Sequence, residues 1–276
     1  MIVATENYTL TNGVPIPKIG FGTWQMPDGE DTYNAVLFAL QHGYRHIDTA
    51  RAYGNEPSVG RAVRDSGIAR GDLFVTTKLP AEVKDYDDAL ASFETTMQAL
   101  DLGYVDLYLI HAPWPWDQQG ADFRKENSAV WRALEELYQG GRCRAIGVSN
   151  FTVDDLTALL AGGAITPMAN QIRFFIGNTQ KETTRFCQDH NILIEAYSPL
   201  ATGAILQNES VAAIAQKYRT SVPQLCVRYA LQRGTLPLPK STHPEYITQN
   251  ADVDFAIEAE DMHYLDGLQD TTKKGA

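Results

Sequence analysis

The amino-acid sequence predicts a (β/α)8 TIM barrel with an N-terminal β-hairpin. Eight short runs of apolar and β-branched residues recur at intervals of about 30 to 40 residues, the length of one strand–helix unit in a parallel sheet. Stretches with the periodicity of amphipathic helices separate these runs. An open doubly wound sheet is the alternative, but its glycine-rich first turn is missing. The chain has 276 residues, 44% of them hydrophobic, so residues 1–276 are predicted to form one barrel domain.

The predicted strands follow from local patterns. Asn12-Gly13 separates two short strand-like runs within residues 8–16, which is a strong signal for a two-residue hairpin turn. Ile47 is the apolar member of a short strand that Gly43 precedes, and the later strands are continuous apolar or β-branched runs. The barrel strands are predicted at residues 19–21, 45–48, 73–78, 105–111, 144–148, 167–172, 193–197 and 235–239.

The predicted helices lie between these strands. Pro57 pre-sets the first turn of the second helix, and Gly140-Gly141 ends the fourth. Residues 114–127 are predicted to form a long loop and residues 271–276 a frayed tail. The helices are predicted at residues 31–42, 56–66, 85–100, 128–140, 152–160, 179–190, 210–219, 222–232 and 259–268.

Charge and composition disfavour several classes of function. The formal net charge of −11 opposes association with nucleic acid or an anionic membrane surface. No stretch reaches the roughly 20 consecutive apolar residues of a membrane span, and residues 1–9 lack the pattern of a signal peptide. Cys143, Cys187 and Cys226 lie too far apart to suggest a disulfide framework or a close-spaced zinc site. We therefore expect a cytoplasmic monomer that acts on a small molecule.

Polar side chains end three successive predicted strands. Asp48 and Tyr53 follow the second strand, Lys78 ends the third and His111 ends the fourth. In a barrel these ends converge on the face where TIM-barrel enzymes carry their active sites. Each group is costly to bury without a partner, so a mutually satisfied cluster is the physical expectation. Four unrelated rim residues are the alternative.

Several motifs resemble the aldo-keto reductases, in the order in which that family carries them. The likeness extends from about Tyr8 to Leu268 and is greatest to the short bacterial members similar to 2,5-diketo-D-gluconate reductase. The segments that carry it are GYRHIDTARAYGNE at 43–56, TK at 77–78, VDLYLIH at 105–111 and LPKS at 238–241.

The resemblance implies NADPH-dependent reduction of aldehydes, ketones or dicarbonyls to alcohols. Hydride would come from the nicotinamide and the proton from Tyr53. Because a free phenol has a pKa of about 10, the charge of Lys78, held by Asp48, is expected to help Tyr53 act near neutral pH. His111 would donate a hydrogen bond to the substrate oxygen.

The resemblance also implies a set of cofactor contacts. Tyr197 would stack on the nicotinamide ring, and Gly22 and Thr23 would approach from the first strand. The other contacts implied are Ser149, Asn150 and Gln171 with the carboxamide, Ser198, Leu200 and Gly203 with the pyrophosphate, Lys240 and Ser241 with the 2′-phosphate and ribose, and Gln249 and Asn250 with adenine.

One departure from the family pattern concerns cofactor choice. Tyr246 stands where an arginine is usual, and a tyrosine can stack on adenine but brings no positive charge. Lys240 is left as the main counter-charge to a 2′-phosphate. NADPH remains the expected cofactor, with NADH also possible.

Aromatic residues are the predicted walls of the substrate pocket. Trp24 and Trp114 are the candidates, with Tyr86 or Trp116 as further ones, because aromatic rings suit a mostly apolar carbonyl substrate. Ala112 follows His111 where many relatives have tryptophan. The short segment after the last helix suggests an open pocket.

Two other functions stay open. His46, Asp48 and His111 at strand ends resemble part of a metal-dependent hydrolase site, but no further strand-end histidine completes a ligand set. A non-catalytic accessory subunit on the same barrel is the second alternative. No metal site is predicted.

Overall fold

In a computed structural model, which describes residues 6–272, the chain forms a barrel of parallel strands surrounded by helices. The strands are β1 (Asn7–Thr9), β2 (Pro15–Pro17), β3 (Phe21–Gly22), β4 (His46–Asp48), β5 (Phe74–Leu79), β6 (Val105–Ile110), β7 (Cys143–Ser149), β8 (Ala169–Arg173), β9 (Leu193–Tyr197) and β10 (Leu236–Leu238). The helices are α1 (Glu30–Gln41), α2 (Glu56–Asp65), α3 (Tyr86–Leu100), α4 (Arg124–Gln139), α5 (Val153–Gly162), α6 (Lys181–Asp189), α7 (Glu209–Lys217), α8 (Val222–Gln232), α9 (Pro244–Ala251) and α10 (Ala259–Gly267).

The strands β3 to β10 lie side by side in chain order, and each is parallel to the next. Two backbone hydrogen bonds join the edges of this sheet. Gly20 N donates to Pro237 O at 3.1 Å, and Gly22 N donates to Pro239 O at 3.0 Å. The sheet therefore curves round on itself, which confirms the predicted barrel and brings all the strand carboxyl ends to one face.

The predicted N-terminal hairpin is present. β1 and β2 pair antiparallel around Asn12-Gly13, and Gly13 takes a φ of 84°, a left-handed conformation that suits glycine. Leu10 and Ile16 are buried and pack with the apolar residues of the barrel interior, such as Leu107. The hairpin thus covers the amino-terminal end of the barrel and contributes to its core.

The structure corrects some predicted boundaries. Helix α9 was not predicted, because its eight residues are mostly polar and it begins at Pro244. α4 begins at Arg124, within the predicted loop. The predicted frayed tail is wrong at Thr271, which is buried and donates a side-chain hydrogen bond to Ile176 O. Residues 273–276 of that tail lie outside the described part of the chain.

The three cysteines have the buried, reduced state that the sequence predicts. Cys143, Cys187 and Cys226 are buried free thiols. Burial raises the pKa of Cys187 to about 11, so this thiol stays protonated at neutral pH. Across residues 6–272, no helix combines the length and the apolar character needed to cross a membrane.

Glu56, the first residue of α2, is a buried carboxyl group that should make stability depend on pH. Burial raises its pKa to about 7 and outweighs the hydrogen bond from Thr77 Oγ1 at 2.7 Å. Between pH 4.5 and 7 the unfolded chain releases a proton that the folded chain keeps, so the free energy of unfolding falls as pH rises. Glu56→Gln should remove much of this fall and stabilise the protein at pH 8 by up to about 3 kcal/mol. Urea unfolding at pH 4.5 and 8 measures it, and an unchanged pH dependence in the variant would contradict the assignment.

Candidate active site

The pleat of the strands places charged groups inside the upper half of the barrel. Along β6, Leu107 and Leu109 belong to the interior cluster, whereas Tyr108 and Ile110 pack against the surrounding helices. The same alternation along β5 turns Lys78 inward, because it lies four residues after the interior residue Phe74. The interior is apolar toward the amino ends of the strands and polar toward their carboxyl ends. The polar side chains therefore form a candidate site at the carboxyl ends of the strands.

Lys78 and Asp48 form a buried ion pair at the centre of this site. Lys78 Nζ lies 2.8 Å from both carboxylate oxygens of Asp48 and 2.8 Å from Thr49 O, and its side chain has no exposed area. Burial works against the charge on Lys78, but the nearby Asp48 carboxylate raises the pKa of Lys78 above its ordinary value. The lysine is therefore a fixed cation with three acceptors.

The Tyr53 hydroxyl is the fourth contact of that cation. It lies 3.3 Å from Lys78 Nζ, at the end of the short 3₁₀ turn Arg51–Tyr53 that follows β4. Burial raises the pKa of Tyr53 to about 12, even though Lys78 acts to lower it. The sequence-based expectation considered the effect of the lysine on this pKa but left out the larger effect of burial. Tyr53 is thus a neutral phenol with its proton available near neutral pH.

His111 directly follows β6 and faces the same cavity. Its ring centre lies 5.5 Å from that of Tyr53, with the two rings edge to face. Burial, together with the charge of Lys78, lowers the pKa of His111 to about 3. The imidazole is therefore neutral and can donate one hydrogen bond to an oxygen atom beside the Tyr53 hydroxyl.

A chain of hydrogen bonds forms the wall beside this pair. Ser149 Oγ donates to Gln171 O at 2.9 Å. Asn150 Nδ2 donates to His111 O and to Ser149 Oγ, each at 3.0 Å. The Tyr197 hydroxyl donates to Asn150 Oδ1 at 2.8 Å, which fixes the Tyr197 ring against the wall.

These residues surround one cavity of about 870 Å³. Asp48, Tyr53 and His111 line it, while Lys78 lies buried behind Tyr53. Thr23 is also buried behind the lining and donates its side-chain hydrogen bond to Asp48 O. The cavity also brings together other residues from the predicted set: Gly22, Trp24, Ser149, Asn150, Gln171, Tyr197, Ser198, Leu200, Gly203 and Lys240.

Some predicted site residues do not line this cavity. Trp114 packs edge to face against Trp116, with ring centres 5.3 Å apart, and it is Trp116 that reaches the cavity. This corrects the predicted wall, because the chain turns after buried Pro115 and presents the second tryptophan instead. The predicted adenosine contacts that lie outside the lining are Ser241, Tyr246, Gln249 and Asn250. The last three lie on α9.

Sequence reasoning missed two charged residues of the site. Glu195 lies inside the barrel on β9 and is fully buried. Arg173, the last residue of β8, pairs in register with Tyr197 and lines the cavity. For Glu195 the available signal was a charge within the otherwise apolar strand β9, whereas β8 already carries the polar residues Asn170 and Gln171 and gives no such signal for Arg173. Strand alternation places both with Gln171 and Tyr197 on the inner face.

The residues present fit a bound dinucleotide. Gly22 lines the cavity, and a side chain there would begin 3.3 Å from Leu238 O and 3.8 Å from the Lys240 side chain, so glycine allows the first and last barrel strands to pack closely at this edge of the cavity. Ser198, Thr202 and Gly203 have left-handed backbone conformations in the segment after β9, and such turns expose N–H groups that suit phosphate oxygens. Lys240 and Arg173 add positive charge to the lining.

The arrangement of donor atoms does not favour the hydrolase alternative. Nε2 of His46 lies 2.9 Å from Thr76 Oγ1, inside the barrel and below the cavity. In the described part of the chain, no group of three or more His, Cys, Asp or Glu side chains is placed to hold a metal ion.

Comparison with known families and curated proteins agrees with this geometry. The profile of the Aldo/keto reductase family matches residues 18–270. An uncharacterized oxidoreductase of Bacillus subtilis, YtbE, is 44% identical over 272 residues, covering 97% of this chain and 94% of the relative. A glyoxal reductase of the same organism is 43% identical over 271 residues, covering 98% of this chain and 95% of the relative.

Solved structures have the same fold. An aldo/keto reductase from Brucella melitensis superposes with a TM-score of 0.90 at 39% identity, covering 96% of this chain and 98% of that one. A Bombyx mori aldo-keto reductase in complex with NADP superposes with a TM-score of 0.86 at 34% identity, covering 94% and 91%.

Proposed function

The chain belongs to the aldo/keto reductase family and is an NAD(P)H-dependent, carbonyl-reducing oxidoreductase; within that family, we propose that it uses NADPH to reduce aldehydes, ketones or dicarbonyls, with Tyr53 as proton donor. The observation that carries the proposal is that the Tyr53 hydroxyl, 3.3 Å from the buried Lys78 ammonium, and neutral His111 line the same cavity.

The proton transfer follows from these contacts. A nicotinamide held in this cavity would supply a hydride to the carbonyl carbon. Tyr53 gives its hydroxyl proton to the carbonyl oxygen as negative charge develops there. Lys78 stabilises the resulting phenolate, and Asp48 holds Lys78 in place through two contacts of 2.8 Å. The phenolate then regains a proton from solvent.

His111 orients the substrate oxygen. Because burial keeps its imidazole neutral, its ring N–H is a hydrogen-bond donor that does not add a second cation beside Lys78. The ring lies edge to face with Trp116, their centres 5.4 Å apart, so an aromatic wall adjoins the donor. An aldehyde or dicarbonyl presents the small polar head and modest apolar body that this corner can hold. The similarity to a glyoxal reductase supports dicarbonyls as one substrate class.

Cofactor binding is assigned to one side of the cavity. Tyr197 would stack on the nicotinamide, and Ser149, Asn150 and Gln171 would face its carboxamide. Gly22, Ser198, Leu200 and Gly203 would contact the remainder through the pyrophosphate. Thr23, buried behind the lining, would support this wall through its hydrogen bond to Asp48 O. The Bombyx mori relative in complex with NADP supports NADPH as the cofactor. Lys240, with Ser241, would meet the 2′-phosphate, and α9 would carry the adenine contacts Tyr246, Gln249 and Asn250.

Replacing Lys240 tests the cofactor assignment. Lys240→Ala should raise the dissociation constant of NADPH by about 10- to 100-fold, the loss of a charge-assisted contact, and leave that of NADH within about twofold. Titration of the protein with each cofactor measures both constants. Lys18→Ala, next to the hairpin and paired with Glu6, is the matched control and should change neither. Equal losses for NADPH and NADH would contradict a role for Lys240 at the 2′-phosphate.

Tyr246 offers the reciprocal change. Its side chain is 52% exposed and packs edge to face against His243. A neutral phenol brings no positive charge to this end of the site. Tyr246→Arg should strengthen NADPH binding relative to NADH. A wild-type protein that prefers NADH by a large factor would overturn the assignment of NADPH.

A further inference from the structure

Glu195 is a buried carboxyl group next to the proposed carboxamide site that the proton transfer does not use. It lies in the middle of β9, pairs in register with Gln171 on β8, and has no exposed area. Its Oε2 accepts a hydrogen bond from Gln171 Nε2 at 2.9 Å. A buried acid without a part in the reaction calls for an explanation, because its burial costs free energy.

The same nitrogen of Gln171 makes a second contact. Gln171 Nε2 also lies 2.8 Å from Asp48 Oδ1. Asp48 forms the ion pair with Lys78, and an ionised carboxylate can only accept hydrogen bonds. Gln171 must therefore present its nitrogen, and not its oxygen, to Asp48. Asp48 takes one of the two amide hydrogens and Glu195 takes the other.

The oxygen of the Gln171 side chain is then the atom left for a ligand. Gln171 lines the cavity, and within residues 6–272 no group donates a hydrogen bond to its Oε1. An acceptor in this place suits a partner that carries an N–H group. A primary carboxamide has such a group, whereas a ketone in the same position does not.

Glu195 is suited to this task because it need not carry a charge. Burial raises the pKa of Glu195 to about 8, and the negative charge of Asp48 adds to this effect. Gln171, Asp48 and Lys78 surround it, and His46 Nε2 lies 3.8 Å from its Oε1. As a neutral acid it accepts from Gln171 without placing a second anion beside Asp48. An apolar residue here would leave one amide hydrogen of Gln171 without a partner.

We propose that Glu195 is a positioning residue that locks the Gln171 amide with its oxygen toward the cavity and so makes the site selective for a pyridine nucleotide with a primary carboxamide. The inference rests on the proposed use of a nicotinamide cofactor. It assigns a role in cofactor specificity to a residue of the barrel interior that neither contacts the cofactor nor takes part in proton transfer.

A cofactor analogue separates this role from a structural one. In the 3-acetylpyridine analogue of NADP⁺, a methyl ketone replaces the carboxamide, so the C=O stays and the N–H group is lost. Isothermal titration should show that the wild-type protein binds NADP⁺ about five- to tenfold more tightly than the analogue, the effect of one hydrogen bond. Equal affinity of the wild-type protein for both ligands would overturn the proposal without any variant.

Two variants complete the test. Glu195→Leu should weaken NADP⁺ binding by about five- to tenfold and leave the affinity for the analogue within about twofold. Glu195→Gln keeps an acceptor oxygen for Gln171 and should retain the wild-type preference. An equal loss for both ligands in Glu195→Leu would show a general structural effect and contradict the proposal. If the leucine variant does not fold, loss of the wild-type preference in Glu195→Gln, which keeps the acceptor for Gln171, would still contradict the proposal.

Failure of the proposed function gives a different result. A wild-type protein that binds neither NADP⁺ nor NAD⁺ would refute the nicotinamide cofactor itself. A wild-type protein that binds NADP⁺ without preferring it to the analogue would refute only the role of Glu195.

Discussion

Tyr53→Phe should lower kcat for carbonyl reduction by about 10²- to 10⁴-fold, the usual contribution of a positioned proton donor. The change removes only the hydroxyl, which lies 3.3 Å from Lys78 Nζ, and keeps the ring that lies against His111. NADPH binding should stay within about twofold, because the cofactor contacts lie on other strands. Steady-state consumption of NADPH with a panel of aldehydes and dicarbonyls gives kcat, and titration gives the dissociation constant.

The matched control removes a phenol hydroxyl elsewhere. Tyr264 lies on α10 and is 47% exposed, so Tyr264→Phe should leave kcat unchanged. Near-wild-type turnover in Tyr53→Phe would show that another group supplies the proton. Loss of NADPH binding in the same variant would point instead to a disturbed cavity.

Lys78→Met should both destabilise the protein and abolish most of its activity. Removing the ammonium leaves Asp48 as a buried charge without its partner, which costs about 3 to 5 kcal/mol of unfolding free energy. The phenolate of Tyr53 also loses its counter-charge, and kcat should fall by about 10²-fold or more. Urea unfolding and steady-state kinetics measure the two effects separately.

A double variant separates stability from catalysis. Lys78→Met combined with Asp48→Asn removes both charges of the pair, so much of the stability should return. Activity should stay low, because no cation faces Tyr53. Recovery of activity together with stability would mean that Lys78 is needed only for folding.

Much of the site follows from strand periodicity and strand order alone. Asp48 is the last residue of β4 and Lys78 the last but one of the neighbouring strand β5. Both positions alternate inward, so in a closed parallel barrel their side chains meet inside it. Tyr53 and His111 follow the ends of their strands, so the same edge brings them together. Strand periodicity and strand order can both be predicted without knowledge of long-range contacts. Four catalytic candidates could therefore be named from the sequence.

The residues that were missed depend on longer-range packing. Glu195 is stabilised by Gln171 on the neighbouring strand, and no local pattern reveals that a buried acid has such a partner. Helix α9 is short and polar, so it lacks the apolar periodicity that marks longer helices. The choice between Trp114 and Trp116 depends on how an irregular loop turns, which residue spacing does not determine.

Transfer of deuterium tests the central claim most directly. NADPH carrying two deuterium atoms at C4 of the nicotinamide is incubated with the wild-type protein and an aldehyde, and the alcohol is analysed by mass spectrometry and NMR. The account predicts one deuterium on the carbinol carbon of the alcohol. Tyr53→Phe should yield only the small amount of this labelled alcohol that its residual turnover produces. Alcohol without deuterium at that carbon, or no alcohol with any carbonyl substrate, would contradict a reductase that transfers hydride in this cavity.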